Sequence, residues 1–222
     1  MDKTLFEYKE WLDGATMDPN IDSMYESAID KLKPREELEN QLIRLNDEEC
    51  NLSLEEKNDS KRLSIYSTYL DLEFKDGGNP VRIENLYERR ISDLCLHPHV
   101  WTTYIDYLDQ NLKMEGKTID VCERAIRNVP NSAAIWIKYL RALERYERPK
   151  EKLLSAVEKA LSRNFIEGIS KYREIWLTFI DYKRRDLFKV SPKFYNKQKL
   201  LSYFINILQM AYNEFLKYIL YL

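Results

Sequence analysis

The chain has 222 residues, 44% hydrophobic and 32% charged, with only 5 glycines and 7 prolines, which supplies a sizeable core and favours long helices over sheets. A net charge of −2 does not mark a strongly basic nucleic-acid binder, and three widely spaced cysteines (Cys50, Cys95, Cys122) without a C-x-x-C pair argue against a disulfide framework and fit a reducing compartment. Sixteen tyrosines, 8 phenylalanines and 4 tryptophans are too many rings for an ordinary helical protein unless they serve a repeated packing task.

The N-terminal segment MDKTLFEYKEW lacks the apolar run of a secretory signal and is too acidic for a transit peptide. Residues 1–60 carry 7 basic and 17 acidic side chains, the remainder 28 and 20, so the two ends differ in sign. Leu5, Tyr8, Trp11 and Leu12 lie on one helical face, and Tyr25-Glu26-Ser27-Ala28-Ile29 follows as a second helix; together they predict a helix pair near 4–33. Residues 34–61 read as an insertion, with Asn46–Ser60 a loop or loose helix.

The next pair is predicted near 62–97. Its first helix, A, presents Leu63, Tyr66, Tyr69 and Leu70; its second, B, contains Tyr87-Glu88-Arg89-Arg90-Ile91. The third, near 99–131, has Trp101, Tyr104, Tyr107 and Leu108 in A and Cys122-Glu123-Arg124-Ala125-Ile126 in B. The fourth, near 134–167, has Trp136, Tyr139, Ala142, Leu143 and Glu144 in A and Val157-Glu158-Lys159-Ala160-Leu161 in B. The fifth, near 172–222, opens with Trp176, Phe179 and Tyr182. Gly77-Gly78-Asn79-Pro80 and Gly116 are predicted to turn the chain from A to B. Pro98 and Pro130 punctuate B to A, with Asn131 or Ser132 as a cap.

The spacing is the argument. Trp101 to Trp136, Tyr104 to Tyr139, Glu88 to Glu123 and Glu123 to Glu158 are each 35 residues. A fixed period of this size predicts an all-α solenoid, a superhelix of about five helix pairs in which stacking buries faces that a single pair leaves exposed. The repeat core is then Trp101, Tyr104, Tyr107, Trp136, Tyr139, Trp176, Phe179 and Tyr87, with small Ala125 and Ala160 letting helix B approach helix A and Arg90 breaking that pattern. Glu88, Arg89, Glu123, Arg124, Glu144 and Glu158, with Glu73, are expected to form structural ion pairs that set register.

Chemistry finds little purchase. Cys95-x-His97-x-His99 has no second ligand cluster nearby, so no metal is expected, and no phosphate-binding glycine loop or H-E-x-x-H occurs; no catalytic residue and no cofactor are predicted. Residues 145–199 hold 15 basic and 7 acidic side chains, and Lys183-Arg184-Arg185 is a candidate RNA or partner patch. The apolar stretch 199–222 is interrupted by Asn206, Gln209, Asn213, Glu214 and Lys217, so it reads as an amphipathic helix suited to a homodimer contact and not as a membrane span.

The pattern W-x-x-Y-x-x-[YA]-L in helix A, with [YC]-E-R-A-I and a following proline in helix B, resembles the half-a-tetratricopeptide (HAT) repeat. The likeness is strongest over Leu63–Lys189 and looser over residues 1–62; there it is similar to HAT regions of factors that recycle the U4/U6 spliceosomal particle. The resemblance implies a nuclear, non-catalytic scaffold in pre-mRNA splicing that docks spliceosomal snRNP proteins, U4/U6 components and deubiquitinating enzymes among them, without requiring RNA contact. Such proteins also carry RNA-recognition motifs, whose signature is not found here, so the resemblance implies an N-terminal fragment or a short product that holds only the docking half. A HAT scaffold of mRNA 3′-end formation or ribosome assembly shares the same features, and direct RNA binding through the basic 145–199 surface is a further reading. Phe204-Ile205-Asn206-Ile207 departs from the repeat by replacing its acidic-basic pair with apolar residues.

Overall fold

The computed structural model describes residues 21–50, 58–165 and 168–190, together with Glu7, Ser202, Ile205 and Gln209. Among these residues the secondary structure is entirely helical. Eight α-helices follow one another: α1 (Ile21–Glu49), α2 (Asp59–Lys75), α3 (Pro80–Asp93), α4 (Pro98–Asp106), α5 (Glu115–Asn128), α6 (Ala133–Arg145), α7 (Lys150–Leu161) and α8 (Ile169–Val190). A π-helical segment, Tyr107–Leu112, continues α4. The chain forms two units, Met1–Leu86 and Tyr87–Leu222.

In the first unit, α1 packs on α2. Leu38, Leu42 and Leu45 recur at helical spacing on α1 and are buried, as are Ile65, Tyr66, Tyr69 and Leu70 of α2. Residues 34–49 therefore continue a 29-residue helix where an insertion was expected, and Pro34 lies inside it. The missing N–H of a proline is tolerated here because Pro34 is exposed while the apolar face beyond it is held by α2. The helix ends at Glu49 and α2 begins at Asp59, so within the stretch expected as a loop or loose helix, Asn46–Glu49 and Asp59–Ser60 are helical. Glu49 is buried and accepts from Arg62 Nη2 (2.6 Å) and from the Asn58 N–H (2.7 Å). It stands 14 residues before Leu63, against 13 from Glu88 to Trp101, so the late part of α1 occupies the place in the repeat that the Tyr25–Ile29 segment was expected to fill. The Leu5, Tyr8, Trp11 and Leu12 helix lies outside the described residues.

In the second unit each A helix meets its own B helix and the A helix of the next pair: α4 packs on α5 and α6, and α6 on α7 and α8, while α5 packs on α6 and α7 on α8. This is the stacking of an α-solenoid. Its interior is lined by Trp101, Tyr104, Tyr107 and Leu108 from the first A helix, Ile135, Trp136, Tyr139 and Leu143 from the second, and Cys122, Ala125, Val157 and Ala160 from the B helices.

The turns follow a rule the sequence concealed. Among the described residues each A-to-B turn contains a left-handed residue: Gly77 (φ 96°), Lys113 (φ 51°) and Glu147 (φ 48°). Two of them close with the bond pattern of a Schellman cap, in which the Gly78 N–H donates to the Glu73 carbonyl and the Arg148 N–H to the Leu143 carbonyl, both at 3.0 Å. Gly116 was expected to turn the chain and does not; it lies in the first turn of α5, and Lys113 takes the left-handed position. The π-helical segment accompanies this change. Trp101 is 12 residues from Lys113 whereas Trp136 is 11 from Glu147, and a π-bulge absorbs one additional residue without losing the helix.

Candidate protein-docking surface

The tryptophans fix the B-to-A turns. Trp101 Nε1 donates to the Cys95 carbonyl at 2.7 Å, and Trp136 Nε1 to the Pro130 carbonyl at 2.9 Å, six residues back in each case. Both rings are almost completely buried. Trp176 is only half-buried, because the preceding turn is five residues longer and the residue six positions back, Ser170, already belongs to α8. Ser132 stands at the N-cap of α6, but its side chain makes no capping bond and its hydroxyl is buried without a partner.

The glutamates of helix B link successive pairs. Glu88 accepts from Tyr104 Oη (3.1 Å) and from both terminal nitrogens of Arg124 (3.0 and 2.9 Å), while the Arg124 guanidinium also lies over the Trp101 ring at 5.7 Å. Glu123 accepts from Tyr139 Oη (3.0 Å) and pairs with Lys152 (2.9 Å). Burial raises the Glu88 carboxyl, but the bonds from Arg124 and Tyr104 outweigh it and leave the group below its ordinary range. The hydrogen bond from Lys152, aided by Tyr139, lowers Glu123 in the same way. Glu158 is exposed and makes no ion pair among the described residues: the position that supplies the tyrosine hydroxyl to the earlier glutamates is Phe179 here. Arg89 is exposed.

The A helices carry a parallel set of pairs. Lys138 bonds Asp106, Arg145 bonds Asp109, and Tyr146 Oη donates to Asp109 at 2.9 Å. Arg185 holds Glu144 through Nε (2.6 Å) and Nη2 (2.8 Å). In the first unit Arg35 bonds Glu73 (2.5 Å) and Asp76, which lowers the Asp76 carboxyl. The Asp106, Asp109 and Asp186 pairings were not foreseen; the 36-residue intervals from Asp109 to Arg145 and from Lys150 to Asp186 were the available signal.

Of the basic tripeptide, Arg185 links α8 to α6 through Glu144, while Lys183 and Arg184 make contacts within α8. Besides Arg185, Arg184 Nε approaches Asp181 at 3.3 Å, and Lys183 Nζ lies over the rings of Phe179 (5.4 Å) and Tyr182 (6.0 Å). Arg90, in the slot that later pairs fill with Ala125 and Ala160, is buried. Its one hydrogen bond is long, 3.5 Å to Thr103 Oγ1, its Nε has no partner, and burial lowers its pKa. Burial pushes the Cys122 thiol up to about 12, so it is inert at neutral pH. Among the described residues no group of three or more His, Cys, Asp or Glu is disposed to hold a metal ion, and no helix is long and apolar enough to cross a membrane. A cleft of about 320 Å³ opens between α6, α7 and α8.

A family model described as the PRP39 C-terminal HAT repeat matches residues 54–185, more than half of the chain. The chain belongs to the HAT-repeat family. Its relatives include the protein named "Spliceosome associated factor 3, U4/U6 recycling protein": over 185 residues, 83% of this chain, identity is 34% to the mouse and human proteins and 31% to that of zebrafish. The matched part is 18% of each of those relatives, so this HAT chain spans about a fifth of their length. The matched region contains both buried tryptophans and the Glu88 and Glu123 linkages.

Proposed function

We propose that the chain is a non-catalytic docking scaffold of pre-mRNA splicing that acts in the nucleus and engages proteins of the U4/U6 snRNP. One observation carries this reading: Trp101, Trp136 and the Glu88 and Glu123 carboxylates are committed to holding helix pairs together, in a family whose similar members are named as U4/U6 recycling proteins. A site for chemistry gathers free acids, bases and nucleophiles in one place; here Glu88 and Glu123 lie one repeat apart and each is paired. What remains for partners is the extended surface that stacked pairs create. Deubiquitinating enzymes are further candidate partners, and residues 199–222, nearly all outside the described residues, a candidate dimer contact.

Tagged chain incubated with nuclear extract should retain U4/U6 proteins. Recovery of chaperones alone, or of 3′-end-formation or ribosome-assembly factors in their place, would count against the splicing assignment. The excess of basic residues over 145–199 favours a second reading, direct RNA binding. It requires affinity that falls steeply with salt and drops when Lys183 and Arg184 lose their charge. The engagement of Arg185 by Glu144 argues against it.

A further inference from the structure

The cations of α5 to α8 are not used evenly. Where an A helix turns into its B helix they are consumed by the fold: Arg145 bonds Asp109, Arg148 gives its Nη2 to Glu115 (3.0 Å) and Lys150 meets Asp186 (2.8 Å). At the opposite edge, where α5 turns into α6 and α7 into α8, Arg127, Lys159, Arg163 and Arg173 are exposed, and none makes an ion pair among the described residues. Carboxylates are scarce there. None occurs from Ala125 to Leu143 or from Lys159 to Phe165, and Glu174 is already held by Lys171 (3.0 Å), which leaves Glu158 as the carboxylate without an ion pair at this edge among the described residues. Arg127 lies one turn beyond Glu123 and helps to lower that carboxyl through space, but Lys152 holds the ion pair. The helix dipole favours a cation in the last turn of a helix, which accounts for Arg127 in α5 and Lys159 in α7. It does not account for Arg163, beyond the end of α7, or for Arg173, near the pole of α8 that favours anions.

We propose that this edge docks an acidic, extended peptide segment of a partner protein, whose carboxylates meet Arg127, Lys159, Arg163 and Arg173. Three of the four are arginines, whose planar fork takes a carboxylate through two hydrogen bonds. Neighbouring helices lie about 8–10 Å apart and an extended chain advances about 3.3 Å per residue, so about three residues step from one pair to the next. A nucleic acid fits less well. Single strands are held by rings as well as cations, but here Trp136 is buried, and Tyr172 packs edge-on against Phe165 (4.9 Å) while donating to the Arg163 carbonyl. The 17 acidic and 7 basic side chains of residues 1–60 also repel a long polyanion more than a short peptide. The inference rests on the scaffold reading for the class of partner; the preference for an acidic segment comes from the edge alone.

The test measures fluorescence anisotropy of the full chain with labelled Glu-Asp-Glu-Asp-Glu-Asp, with the amide peptide Gln-Asn-Gln-Asn-Gln-Asn and with hexauridylate. The acidic peptide should bind, more weakly as salt is raised, and the amide peptide should not. Arg127→Gln, Arg163→Gln and Arg173→Gln combined should weaken the acidic peptide by about tenfold at unchanged Tm, since all three side chains are exposed. Lys113→Gln with Lys150→Gln, at the opposite edge, should change it by less than about twofold. The peptide contrast is read on the unmodified chain, so it stands even if a variant misfolds. Equal binding of the amide peptide, tighter binding of hexauridylate, equal losses from the two variants, or no binding at millimolar concentration would overturn the proposal. Capture from nuclear extract separates the two readings. If the combined arginine variant retains every U4/U6 protein that the unmodified chain retains, the edge is not the docking point while the scaffold reading stands. If the unmodified chain retains none, the scaffold reading fails and the peptide contrast still decides the edge.

Discussion

Trp136 fills the space between helices and, through its indole N–H, fastens the turn at Pro130. The two contributions can be separated by substitution. Trp136→Phe keeps most of the ring and should cost about 1 kcal/mol for the lost bond plus a small packing term; Trp136→Ala opens a cavity and should cost about 3–5 kcal/mol. Trp176→Phe at the half-buried site should lower Tm far less than Trp136→Phe, and equal losses in thermal melts would contradict this division. Arg90 makes the opposite case. An isolated guanidinium buried beside Thr103 has lost its hydration without gaining a carboxylate, so Arg90→Met is expected to leave stability unchanged or raise it by about 1 kcal/mol or more. A marked fall in the urea midpoint would show that Arg90 holds its place by contacts beyond that one bond. The spacing of Trp101 and Trp136 was legible in the sequence, but nothing there said that Arg90 would be buried unpaired, because side-chain burial depends on what the neighbouring helix places opposite.

At the scale of the element, most helices were legible from periodicity, while the residue that turns the chain was legible only where a glycine supplies it. A glycine is the usual sign of a left-handed turn, and Gly77 obeys it, yet the third pair turns at Lys113 and leaves Gly116 inside α5. A Cβ at position 116 would meet nothing within 4 Å. Gly116→Ala should therefore stabilise the chain by about 0.5–1 kcal/mol through better helix propensity, and Lys113→Gly should relieve a left-handed strain of similar size. Both are measured by denaturant unfolding; a loss from Gly116→Ala would place that residue in the turn after all. The same limit governs α1. Pro34 reads as a break in one dimension, but the helix continues because Leu38, Leu42 and Leu45 are buried against α2.

At the scale of the stacked pairs in the second unit, Glu88 and Glu123 hold one helix pair to the next, and this couples stability to pH. Glu88 and Glu123 have folded pKa values below the ordinary 4.5, so the stability they contribute is complete above that value and is lost as pH falls through the lowered folded values. Unfolding free energy should decline below about pH 4.5, and Glu88→Gln combined with Glu123→Gln should flatten that decline; an unaltered acid slope would mean other groups carry it. The sequence by itself determined the all-α class, the 35-residue period, the tryptophan and tyrosine faces and the HAT family, because each is written in local spacing and a helix turns local spacing into a shared face. Only the tertiary structure decided which cation meets which carboxylate, that Arg185 is spent on Glu144, that Phe179 leaves Glu158 outside the linkage, and that α6, α7 and α8 enclose a cleft. Those outcomes depend on distances between residues some 30 to 40 positions apart, which the stacking of one pair on another sets and no local pattern encodes.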